Sequence, residues 1–108
     1  MEVSRKRLRD YEPILLDILL TEKVERLRRH IVRALGNLQS SKAVPILVEM
    51  LTNEEGLIVG DVIEALAKTG AVEVIPLLRR LEVSPIEFIS SKARYALKVL
   101  AISGDSKS

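Results

Sequence analysis

The sequence predicts an all-α protein, a short solenoid of about five to six helices, and three observations carry that prediction. Prolines recur at Pro13, Pro45 and Pro76, spaced by 32 and then 31 residues. Ala-Leu pairs recur at 34–35, 65–66 and 96–97, an interval of 31. The composition is 47% apolar but only 3% aromatic, namely Tyr11, Phe88 and Tyr95, so the core has to be aliphatic. Two independent landmarks with one period mark an internal repeat, which means stacked helical units. A chain rich in Leu, Ala, Glu, Lys and Arg suits helices rather than sheet.

Taken in order, residues 4–20 form a half-unit in which "SRKRLRD" leads into "EPILLDILL". The first pair of helices spans 22–52. Its first helix carries apolar residues at 27, 31, 34, 35 and 38, and its second at 46, 47, 50 and 51, both at helical spacing. Pro45 falls in the first turn of that second helix, where most backbone donors have no intrahelical partner, so its missing N–H costs little. The second pair spans 54–83. Thr52-Asn53-Glu54-Glu55 reads as its capping start, and Gly70 as the end of its first helix. Gly60, inside "LIVGDVIEALAKTG", costs roughly 1 kcal/mol of helix propensity and reads as the close approach of a neighbouring helix. Ile58, Val62, Ala65 and Leu66 form one apolar stripe there, and Val59, Ile63 and Ala67 another, so this helix should be buried on most sides. Ser84-Pro85-Ile86-Glu87 opens a terminal helix, 85–101, with a capping serine, proline at the first helical position and a reciprocal glutamate. Residues 102–108 are expected to be a disordered tail. Both ends of this single domain, 1–108, are therefore half-units.

The run "LRRHIVRALGNLQSSKAVPILVEML", with its Leu-Arg, Ala-Leu-Gly and Ala-Val-Pro-x-Leu, resembles the HEAT-like repeat family, and particularly the compact variety first noted in phycobilisome lyases. The likeness extends more loosely over 58–100. Arg28, the arginine of that motif, becomes Val59 and Ser90 in the later units. The resemblance implies a right-handed stack of paired antiparallel helices. First helices would lie on an outer, convex side and second helices would line an inner, concave one. It does not carry lyase activity, because nothing here marks a bilin site.

No catalytic residue, metal or cofactor is expected. There is no cysteine, and no Ser-His-Asp set, metal-ligand spacing or phosphate-binding glycine loop. The only histidine, His30, shares its repeat column with Asp61 and Lys92, three unlike polar residues that suggest a solvent-facing position. Asp61, Glu64 and Lys68 read as an exposed, salt-bridged stripe. No apolar run is long enough to span a membrane and no signal peptide opens the chain, which points to the cytoplasm. Two Asn, one Gln and no Cys beside 30% charged residues is a bias seen in proteins from hot environments.

That leaves binding. If 14, 15, 18 and 19 are core, the outward positions on the second helices are Leu16, Asp17 and Leu20, then Val48, Glu49 and Thr52, then Arg79, Arg80 and Val83. This groove runs from acidic to basic and suits a protein or peptide partner of mixed charge. The alternative is nucleic-acid binding through the basic N-terminal third. Residues 1–38 hold nine Lys/Arg against six Asp/Glu, with Arg5, Lys6, Arg7 and Arg9 near the N-terminus and Arg26, Arg29 and Arg33 on one helical face. No aromatic residues interleave with that face for base stacking. The half-units predict self-association as well, most simply a homodimer, through a stripe of Phe88, Tyr95 and Val99.

Overall fold

A computed structural model describes residues 9–105, and these are helical with no strand among them. Six helices follow one another: α1 (Glu12–Thr21), α2 (Glu25–Asn37), α3 (Val44–Asn53), α4 (Leu57–Thr69), α5 (Ile75–Leu81) and α6 (Glu87–Asp105). Single 3₁₀ turns at Ser41–Ala43 and Val72–Val74 lead into α3 and α5.

Each repeated proline lies in the first turn of its helix: Pro13 in α1, Pro45 in α3 and Pro76 in α5. Gly70 ends α4 in the left-handed conformation, φ 73°, which costs a residue without Cβ nothing. One period earlier, Gln39 adopts the same conformation, φ 54°. Ser84 accepts a hydrogen bond from the Ile86 N–H at 3.1 Å, as a capping serine does. The reciprocal bond from Glu87 is not formed, because the Ser84 N–H donates to the Leu81 carbonyl at 3.0 Å, and α6 becomes regular only at Glu87.

Three boundaries differ from the sequence expectation. Thr52 and Asn53 belong to the end of α3, with the Thr52 hydroxyl donating to the Glu49 carbonyl, and α4 starts after Gly56 rather than under a Thr52 cap. Helix α6 runs on to Asp105, so residues 102–105 are helical, while 106–108 lie outside the described residues. Arg9 and Asp10 are also helical and are separated from α1 by a turn at Tyr11.

The contacts between consecutive helices also group them differently. α1 lies on α2, α3 on α4 and α5 on α6, each pair joined by a short turn, so the residues 12–105 make three antiparallel hairpins rather than two pairs flanked by half-units. The turns explain the grouping: three residues connect α1 to α2 and α3 to α4, which forces the helices back along each other. Helices α2, α4 and α6 stack directly, and α4 is the centre of the protein. Ile58, Val62, Ile63 and Leu66 are fully enclosed, with Val59, Ala65 and Ala67 nearly so. The closest approach in the stack is between α2 and α4, where a Cβ on Gly36 would stand 2.8 Å from both Cα and Cβ of Ala65. Gly60 has the expected packing role: a Cβ there would meet the Lys92 side chain at 3.1 Å and the Phe88 ring at 3.5 Å, both on α6.

Candidate functional site

The charged side chains divide into two groups, those spent inside the stack and those left free. On α2, α4 and α6, Arg28, Arg29, Arg33, Lys68 and Lys92 are engaged, while Arg26, Arg94 and Lys98 form no ion pair among the described residues. Asp61 is 6% exposed rather than solvent-facing, and it accepts from Arg29 Nε at 2.6 Å and Arg33 Nε at 3.3 Å, both on α2. The hydrogen bond that Arg29 donates to Asp61 holds its guanidinium above its usual value. Lys92 of α6 reaches Glu64 of α4 at 3.2 Å, and Lys68 of α4 donates to Asn37 of α2 at 2.8 Å. The expected stripe of Asp61, Glu64 and Lys68 thus pairs between helices, not along one. His30 is exposed, as read from its column.

Arg28 makes the tightest of these contacts. Its two terminal nitrogens hold both carboxylate oxygens of Glu54, at 3.0 and 2.5 Å, tying α2 to the α3–α4 turn in the bidentate geometry a guanidinium favours. The hydrogen bond from Arg28 keeps the Glu54 carboxyl below its ordinary value of 4.5, against a smaller opposing effect of burial. A carboxylate depressed in the folded state contributes stability above its unfolded value and loses it as pH falls through the folded one. The melting-temperature advantage of the wild type over Glu54→Gln is therefore expected to be constant at neutral pH and to shrink between about pH 5 and pH 3. An advantage unchanged at pH 3 would show that the pair does not act in this way.

A second polar link joins α1 to the turn before α3. Ser40 is fully buried; its Oγ accepts from the Ala43 N–H at 3.2 Å and donates to the Glu12 carboxylate. Arg9 donates to the Leu38 carbonyl at 2.7 Å, at the C-terminal end of α2 where a cation is favoured.

The positions read as an inner face split into two rows. Asp17, Glu49 and Arg80 are exposed on α1, α3 and α5, and so are Leu20 on α1, Thr52 on α3 and Val83 in the turn after α5, the last at 79%. Leu16 and Val48 face otherwise: both are half-buried against the core. Arg79, in the same repeat column, is exposed but lies with Arg94 and Lys98 in a cleft between α5 and α6. Arg79 and Arg80 therefore sit on different sides of α5. Arg80 borders a small cleft of about 100 Å³ between α3 and α5, with Leu51, Thr52, Leu77 and Leu81. Ile14, taken as core, is 53% exposed. The stripe read for self-association does not hold together as a surface: Phe88 and Val99 are half-buried against the core, and Tyr95 alone is open at 61%. Of the basic N-terminal residues, Arg5, Lys6 and Arg7 lie outside the described residues, and Arg26 is exposed.

Among the described residues no group of His, Cys, Asp or Glu is placed to hold a metal ion, and no helix is long and apolar enough to cross a membrane. A depression of about 570 Å³ is formed by the closing turns of α2 and α4 and is lined by Asn37, Gln39, Lys68 and Thr69 without an acid or a nucleophile activated by a neighbour.

Stacked antiparallel hairpins with a repeated first-turn proline and an aliphatic core define a helical-repeat protein. Residues 12–98 match the family model for HEAT repeats, and the chain belongs to that family. No curated protein and no solved structure gives a match. HEAT repeats generally mediate protein–protein interaction, and the family is typically a non-catalytic scaffold.

Proposed function

We propose that this protein is a non-catalytic interaction module, working in the cytoplasm without a cofactor, that binds a protein or peptide partner along the exposed row of α1, α3 and α5. One observation carries the reading. Arg28, Arg29, Arg33, Lys68 and Lys92 are consumed by ion pairs and hydrogen bonds within the stack, whereas Asp17, Glu49 and Arg80, on the α1, α3 and α5 helices, form no ion pair among the described residues. Unpaired charges of both signs, beside the apolar cleft at Leu77 and Leu81, are what a segment of mixed charge can satisfy. A polyanion would meet repulsion at Asp17 and Glu49. Nucleic-acid binding through the α2 stripe loses its basis for the same reason: Arg29 and Arg33 are committed to Asp61, which leaves Arg26. Self-association through α6 is a further part of the proposal, with the Tyr95 ring as the surface it offers a second copy.

Affinity capture from the source organism tests the proposal. Wild-type protein should retain a partner that Arg80→Glu loses, with far-UV circular dichroism unchanged because Arg80 is exposed. No binding to duplex DNA or RNA is expected at micromolar concentration and physiological salt. A partner kept by Arg80→Glu, or salt-sensitive nucleic-acid binding lost in Arg26→Ala, would overturn the proposal.

A further inference from the structure

The repeat columns change chemistry at one face of the last hairpin. In the first two hairpins, Val32 and Ile63, Leu35 and Leu66, and Leu19 and Leu51 are apolar and enclosed, each covered by what packs next in the stack. One period on, the same columns read Arg94, Leu97 and Glu82. Val48 becomes Arg79, and the small pair Gly36 and Ala67 becomes Lys98. Together these residues line an open cleft of about 310 Å³ between α5 and α6, floored by Ile75 and Leu97, which are half-buried against the core. Arg79, Arg94 and Lys98 are all exposed and form no ion pair among the described residues, and Glu82 is the only acid in the lining.

A surface that merely meets water would need no apolar floor, and one that takes another repeat helix would keep the apolar columns. We infer that this cleft binds an amphipathic helix from a partner protein, with apolar residues on one stripe and acidic residues along both flanks. The geometry is that of a helix laid in a groove: the stripe covers Ile75 and Leu97, while carboxylates meet Arg79 from α5 and Arg94 and Lys98 from α6. Three unpaired cations around a narrow floor set the sign of the ligand and the register in which it lies. The inference deepens the reading of the protein as an interaction module, but it concerns a different face from Arg80.

The test is a titration of the ¹⁵N-labelled protein with a blocked peptide of roughly 16 residues, about four helical turns, carrying leucines at i, i+4 and i+7 and glutamates beside them. Two further arms use the same peptide with lysine for every glutamate and an oligothymidylate. The acidic peptide should shift the amides of Ile75, Arg79, Arg94 and Leu97, and it should bind more weakly as salt rises. Arg94→Glu/Lys98→Glu, at two exposed positions, should cost at least about tenfold in affinity and transfer binding to the lysine peptide. Arg80→Glu should leave the acidic peptide's affinity within about twofold, which separates failure of this site from failure of the α3–α5 face. Equal affinity for the two peptides, tighter binding of the oligothymidylate, absence of binding at millimolar peptide, or shifts confined to other helices would each overturn the inference.

Discussion

Replacing Leu66 by alanine is expected to cost about 2–5 kcal/mol, the range for a buried leucine truncated in a core that cannot fully collapse around the gap. Leu66 has no exposed surface and sits on α4, which is held between α2 and α6, so neither neighbour can move in without disturbing the other. For a domain whose whole stability is on the order of 5–15 kcal/mol, that is a large fraction. The repeat supplies an internal control. Leu35 is equally enclosed in α2, whereas Leu97 lies half-exposed on the cleft between α5 and α6. The same deletion at the three equivalent positions should be costly at 35 and 66 and distinctly milder at 97. Urea unfolding of the three variants measures the order, and a Leu97→Ala cost equal to that of Leu66→Ala would contradict the packing described.

Gly36→Ala carries the second large effect, and its sign is the informative part. In an ordinary helix interior alanine is favoured over glycine by about 1 kcal/mol. Here the added Cβ would stand 2.8 Å from both Cα and Cβ of Ala65, and the Cα is backbone that no rotamer change can move aside. The helices have to part, and overpacking of this kind costs about 1–3 kcal/mol. Gly60→Ala provides the contrast within one protein. Its Cβ would meet the flexible end of the Lys92 side chain at 3.1 Å, which can yield, so the gain in helix propensity should leave the protein as stable as before or slightly more so. Thermal melts should therefore separate the two variants, falling by several degrees for Gly36→Ala and staying level or rising slightly for Gly60→Ala, since 1 kcal/mol shifts the melting temperature of a domain this size by about 4–8 °C. A stabilising Gly36→Ala would show that α2 and α4 do not approach this closely.

The elements were legible because they are written locally. A proline in the first turn, a glycine at a helix end and apolar residues three and four apart depend on the helix that contains them, and Pro13, Pro45, Pro76 and Gly70 all stand where those rules put them. The faces were less legible because burial depends on the next layer. Ile14 is exposed while its repeat partner Ile46 is half-buried, and Val48 is half-buried while Arg79 is not, because the hairpins at the two ends have different neighbours. The grouping of helices followed the repeat landmarks, which mark the period but not where a unit begins. The three-residue turns carried that information.

The ion pairs did leave a signal that was not read. Arg29 and Asp61 are 32 residues apart, Arg33 and Asp61 are 28, and Glu64 and Lys92 are 28. Opposite charges separated by one period, or by one period less about a helical turn, face each other across adjacent stacked helices, just as charges at i,i+4 face each other along one. Reading Asp61 along its own helix placed it on the surface. Reading it across the period would have placed Arg29 and Arg33 over it, and the basic stripe on α2 would then have looked structural.

The central claim is that binding uses the unpaired charges of α1, α3 and α5 and not the paired ones of α2. Hydrogen exchange of the protein with and without its captured partner tests this most directly. The account predicts added protection over α3 and α5, residues 44–53 and 75–81, with α2, residues 25–37, unchanged. Protection concentrated on α2, with α3 and α5 exchanging as in the free protein, would contradict it.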